Sequence, residues 1–137
     1  MATKKQRRGL TVPHDRMTVV VCRGGDCGSR IKHPDTDHAA QLAKVRNAAG
    51  DQSVVTVSRC LDACEHSNVI VLVPDADSEN AGATPVWVGE VNDAEVTADI
   101  LEVMDHPGDL PDVPVVVELH TFRPTRQSRR ELDGEIG

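Results

Sequence analysis

The chain has 137 residues, a length that suits one domain around a single core. Trp87 and Phe122 are its only Trp and Phe and it has no Tyr, so that core is built from valine, leucine, isoleucine and alanine, and abundant valine favours a sheet. Of 15 Lys and Arg and 22 Asp and Glu, five and one fall in residues 1–16 and four and four in 118–137; the remaining six and seventeen make an acidic body, which repels phosphate backbones and excludes nucleic acid as a partner class.

The opening stretch MATKKQRRGLTVPH carries Lys4, Lys5, Arg7 and Arg8 with no apolar run of the kind a secretory signal needs, and residues 1–16 are expected to be a disordered basic arm. Nothing in the chain is long and apolar enough to span a bilayer, so a cytoplasmic protein with reduced thiols and no membrane partner is expected. MTVVVC, from Met17, is a short continuous apolar run, the pattern of a strand buried on both faces. It ends on Cys22 and passes into a loop, Arg23 to Lys32, that holds Gly24, Gly25, Cys27 and Gly28 without the spacing of a nucleotide-binding loop.

Asp35, Thr36 and Asp37 offer caps for a helix from His38 to Ala49, with Ala39, Leu42, Ala43 and Ala49 along one face and Gly50 to stop it. A strand over Ser53 to Ser58 follows. The right-handed crossover rule sets it parallel to the first and brings Cys60 to the end where Cys22 lies. Strands over Asn68 to Val73 and Thr84 to Val88 are expected to pair antiparallel, with Trp87 in the core or at its rim. A second helix begins near Asn92 with Glu95 as its capping-box partner, places Val96, Ile100, Val103 and Met104 on one side, and stops at His106, Pro107 and Gly108. Asp112 to Phe122 reads as an extra strand whose Pro114 suits a sheet edge, and residues 123–137 read as a charged flexible tail without a core. The domain thus runs over 17–122.

Cys22, Cys27, Cys60 and Cys64 are all the cysteine there is, spaced C-x4-C and C-x3-C at the ends of two strands. Structural zinc sites favour at least one C-x2-C knuckle and dithiol oxidoreductases also use C-x-x-C; neither pair has it. Wider spacing suits a dinuclear iron-sulfur cluster, whose two metals let each loop reach over a larger span. Cys64 and His66 give one Cys-x-His but no later Cys-x-x-His, which argues against Rieske ligation. A zinc-stabilised interaction module and a thioredoxin-like thiol oxidoreductase remain the competing readings.

These four cysteines, with the strand-helix-strand between them, resemble the thioredoxin-fold 2Fe-2S ferredoxins and the related small iron-sulfur subunit of NADH dehydrogenase, over roughly Met17 to Met104. The C-x4-C opening is similar to that subunit, and the interval from Cys27 to Cys60 to the free ferredoxins. The resemblance implies an α/β thioredoxin-like fold, a mixed sheet of four or five strands with two main helices. It implies that Cys22, Cys27, Cys60 and Cys64 hold one 2Fe-2S cluster, that the protein is an electron carrier and not an enzyme, and that its partners are redox proteins; a homodimer, which some members form, stays open.

Around these ligands several residues have two readings. Arg23 and Arg59 either offset the charge of a reduced cluster or point into water. Asp26, Asp62 and Glu65 either dock a partner with a basic surface or form a solvated rim. His66 either couples protonation to reduction or is an exposed or capping side chain. His33, His38, His106 and His120 have no metal-ligand spacing among themselves, and no carboxylate pair or Ser-His-Asp order marks an enzyme.

Overall fold

The computed structural model describes residues 15–105 and 115–136. The basic arm apart from Asp15 and Arg16, the stop signals His106, Pro107 and Gly108, and Pro114 lie outside the described residues. Strand β1 (Met17–Cys22) is buried along its whole length, as its unbroken apolar run requires. Helix α1 (His38–Ala49) starts at Asp37, whose carboxylate accepts the Ala40 N–H at 2.9 Å, and gives way at Gly50 to β2 (Ser53–Ser58). Of the face expected for α1, Ala49 is buried and Leu42 packs against the core, but Ala39 and Ala43 are exposed; Gln41 and Val45 take their places.

After a single 3-10 turn over Cys64–His66 come β3 (Ile70–Val73), a short helix α2 (Ala76–Asn80) within the polar loop, and β4 (Val86–Val88). Helix α3 (Ala94–Met104) buries Val96, Ile100, Val103 and Met104 together, as its periodicity requires. Its cap is Asp93, not Asn92: the Asp93 carboxylate accepts the Val96 N–H at 3.0 Å. Among the described residues the sheet has four strands in the order β2-β1-β3-β4, with β1 and β2 parallel and the pairs β1–β3 and β3–β4 antiparallel. That order and those directions are thioredoxin-like. Val19, Val21, Ile70, Leu72 and Val88 face α1 and α3 on one side, while Val20, Val71, Val73 and Trp87 face the cysteine loops on the other.

Two expectations for the last third of the chain are corrected. The segment expected as a fifth strand is a helix, α4 (Val115–His120), and only Thr121 beyond it forms a bridge, to Val88. β4 is three residues long, so it offers little edge to pair with; Val117 instead buries completely against the α3 side of the core. The stretch expected as a tail without a core contains α5 (Arg126–Ile136). Leu132 of α5 is buried in the cluster that contains Cys22, Cys27, Leu61 and Ala63, and Ile136 packs against that cluster.

Candidate metal centre

Pairing of Cys22 with Ser58 in the parallel register sets the exits of β1 and β2 side by side, so the loops carrying Cys27 and Cys60–Cys64 leave from the same end of the sheet. The four cysteines are unbridged thiols. Cys22 and Cys27 are 2% and 3% exposed and hydrogen-bond to each other, whereas Cys60 and Cys64 are half-buried with their sulfurs 3.5 Å apart. The two loops touch because Gly24 and Gly25 have no side chains. A Cβ on Gly24 would collide with the Cys60 backbone nitrogen, and one on Gly25 would lie 2.6 Å from Cys64 Sγ and 3.2 Å from Cys60 Sγ. Gly25 also holds φ +60, a conformation other residues rarely adopt.

Main-chain donors reach the sulfurs. The Val69 N–H donates to Cys27 Sγ at 3.3 Å and the Asp62 N–H to Cys60 Sγ at 3.4 Å. The side-chain hydrogen bond from Cys27, with help from the Gly24 and Leu61 backbones and Ser58, lowers the Cys22 pKa to about 6 against the opposing effect of burial. Cys27, which supplies that hydrogen bond and is itself buried, is pushed far up. Burial is the first cause raising the Cys60 pKa.

Arg23 does not point into water. Its guanidinium donates to the carbonyls of Cys22 (3.1 Å) and His38 (3.2 Å) and to Gln41 Oε1 (2.8 Å), close enough to Cys27 and Cys22 for their charges to oppose the effect of burial on its own pKa. Arg59 does extend into water, with its Nε 3.7 Å from Glu135. Asp62 and Glu65 are exposed at the second loop, and Asp26 is half-buried in the first. His66 is neither exposed nor a cap: its ring stacks on Phe122 with centroids 3.9 Å apart, and Phe122 meets Trp87 edge-on. His33 pairs with Ser67 Oγ at 2.8 Å, and His120 Nδ1 donates to the Gly89 carbonyl at 3.1 Å.

Sequence reasoning missed the polar group that ties the first loop to the sheet. Asn68 is fully buried; its Oδ1 accepts the Gly28 N–H at 2.6 Å, and its Nδ2 donates to Asn92 Oδ1 at 2.8 Å and to His38 Nε2 at 3.1 Å. Gln41, also buried, joins Arg23 to the Val91 carbonyl at 2.9 Å. A polar residue beside a strand gives no sign in sequence that it will be enclosed. Helix α5 was missed as well, although Ser128, Leu132 and Ile136 repeat every four residues, the one signal in the sequence that points to its buried face.

No family model matches the chain, and no curated protein matches it. Among solved structures it is similar to the wild-type thioredoxin-like 2Fe-2S ferredoxin from Aquifex aeolicus, at 21% identity over 80% of this chain and 98% of that one, with a TM-score of 0.45. A second structure of a thioredoxin-like 2Fe-2S ferredoxin from the same organism matches at 24% identity over 79% of this chain and 91% of that one, with a TM-score of 0.46.

Proposed function

We propose that the chain binds one 2Fe-2S cluster through Cys22, Cys27, Cys60 and Cys64 and acts as a small cytoplasmic one-electron carrier between a reductase and an acceptor. The observation that carries this reading is the meeting of two thiol pairs at one end of the sheet, closed over each other at Gly25. Two thiolates on one tetrahedral metal at about 2.3 Å stand roughly 3.8 Å apart. The 3.5 Å between Cys60 and Cys64 fits that spacing with little movement. Among the described residues no group of three or more His, Cys, Asp or Glu is placed to hold one ion.

Such a cluster, when bound, takes up and releases a single electron without making or breaking a bond to substrate. The protein supplies the rest. Val69 and Asp62 N–H groups aimed at sulfur spread negative charge, and the Arg23 guanidinium adds a fixed positive charge beside Cys22 and Cys27. Burial of Cys22 and Cys27 keeps water from that half of the site, while the half-exposed Cys60 and Cys64 give the shorter route to a partner. Exposed Asp62 and Glu65 beside that route suit a redox protein with a basic surface. Among the described residues no helix is long and apolar enough to cross a membrane.

Protein purified without oxygen should be brown, contain two irons and two sulfides per chain, and give a one-electron EPR signal on reduction; stoichiometric zinc with no iron would refute the reading. The lowered pKa of Cys22 is what a thiol oxidoreductase uses, and it favours that second reading. Against it, Cys22 is 2% exposed and out of reach of a disulfide substrate. Turnover of a disulfide by metal-free protein, abolished by Cys22→Ser, would reverse the preference.

A further inference from the structure

Helix α5 presents no thiol, yet one of its faces lies along the Cys60–Cys64 loop. Ser128, Leu132 and Glu135, spaced four and three residues apart, share one side of a helix. Ser128 Oγ donates to the Asp62 carbonyl at 3.0 Å. Leu132 is buried in the cluster of Leu61, Ala63, Cys22 and Cys27. Glu135 Oε1 accepts the Arg59 N–H at 2.9 Å, and its other oxygen faces Arg59 Nε at 3.7 Å. These contacts hold the backbone just before Cys60 and again between Cys60 and Cys64, with an apolar anchor between them. Thr125 fixes the first of them: its Oγ1 accepts the Ser128 N–H at 3.0 Å and donates to Ser128 Oγ at 3.1 Å.

The loop has reason to need support. The first thiol loop is tied to the sheet through Gly28, Asn68 and Arg23, whereas the second bends through Asp62 at φ 57, an unfavourable conformation for a residue other than glycine. The carbonyl that Ser128 holds is that of Asp62 itself. We infer that α5 is a strap that pre-shapes the Cys60–Cys64 loop and keeps it closed on bound metal, with Ser128, Leu132 and Glu135 as its positioning residues. What the loop grips rests on the cluster reading; the shaping of the loop does not.

Hydrogen exchange read by mass spectrometry on the full-length chain, first without metal, separates the two. In the Ser128→Ala, Glu135→Ala double variant, amides in 59–64 should exchange about tenfold faster while β1 and β2 keep wild-type rates, because the loss of two hydrogen bonds opens the loop locally. Glu135→Gln keeps an oxygen for the Arg59 N–H and should stay near wild type. Leu132 is left unchanged, since a cavity there would loosen the whole cluster. With iron and sulfide restored, the double variant should bleach faster than wild type under a chelator, and Glu135→Gln should not. Unchanged exchange in 59–64 overturns the strap. Faster exchange with unchanged bleaching overturns its role in keeping metal. A wild-type chain that takes up no iron sinks the cluster reading, and the exchange comparison still decides whether α5 shapes the loop.

Discussion

Single residues decide whether the two thiol pairs can act together, and Gly25 is the sharpest case. Its missing side chain is the space next to Cys60 and Cys64, and its φ of +60 strains any replacement. Gly25→Ala should therefore fold, since the residue is at the surface, but retain well under half of the wild-type iron after reconstitution. Iron analysis beside a far-UV spectrum checks this; full iron content would show that the loops tolerate the added methyl. His38 is a second case. Burial first, then the charges of Arg23 and His33, lowers its pKa from 6.5, with Asp37 opposing. Neutral, its Nε2 accepts from Asn68, whose amide nitrogen can only donate. Because the folded value lies below the unfolded one, the unfolded chain takes up the proton first as pH falls. The His38 contribution is thus intact above 6.5 and is lost progressively below it. Urea midpoints of metal-free protein measured from about pH 7.5 to 5 should fall less steeply in His38→Gln than in wild type, the difference between the two isolating His38 from the other titrating groups.

At the scale of elements, the readable parts were those whose own sequence carries both a pattern and a boundary. β1, α1 and β2 fall where the apolar run, the Asp37 cap and Gly50 put them, and the crossover rule then brings Cys22 and Cys60 together without knowledge of any contact. The run of valines near residue 115 misled because strand preference expresses packing on a sheet, and β4 leaves little edge to pack on. Helix α5 was missed because its charge hides a short apolar face. Asn68, Gln41 and Arg23 were illegible as a network, since their burial is created by elements distant in the chain. The correction at α3 makes a direct test: Asp93, not Asn92, caps the helix. Asp93→Ala should cost about 1 kcal/mol through loss of the cap. Asn92→Ala should act differently, by releasing Asn68, whose backbone N–H and Nδ2 both donate to Asn92 Oδ1. Asp93→Ala should leave the exchange of the Gly28 amide untouched and Asn92→Ala should speed it; equal effects of the two on that amide would show that cap and network are not separate.

For the whole molecule, the quantity that matters to a partner is the field around the exposed thiol end. The chain carries a net charge of -7, with seventeen acidic side chains in residues 17–117. That field attracts a cation to the surface and holds off an anion, and both effects shrink as salt shortens the screening length from about 30 Å at 0.01 M to about 8 Å at 0.15 M. Arg23 contributes one positive charge on the Cys22 and Cys27 side, held by Gln41 and two carbonyls, whereas Asp62 and Glu65 stand in solvent beside Cys60 and Cys64. Oxidation of the reduced, loaded protein by a cationic cobalt(III) ammine complex should therefore slow as salt rises over that range, and oxidation by ferricyanide should quicken. Asp62→Asn with Glu65→Gln should weaken both trends if these carboxylates dominate near the exit, whereas a neutral reagent should ignore salt throughout. Opposite slopes for the two ions that persist in the double variant would assign steering to the body as a whole. Parallel slopes would mean that the electron leaves where the acidic surface is not felt, and with that the case for a basic docking partner disappears.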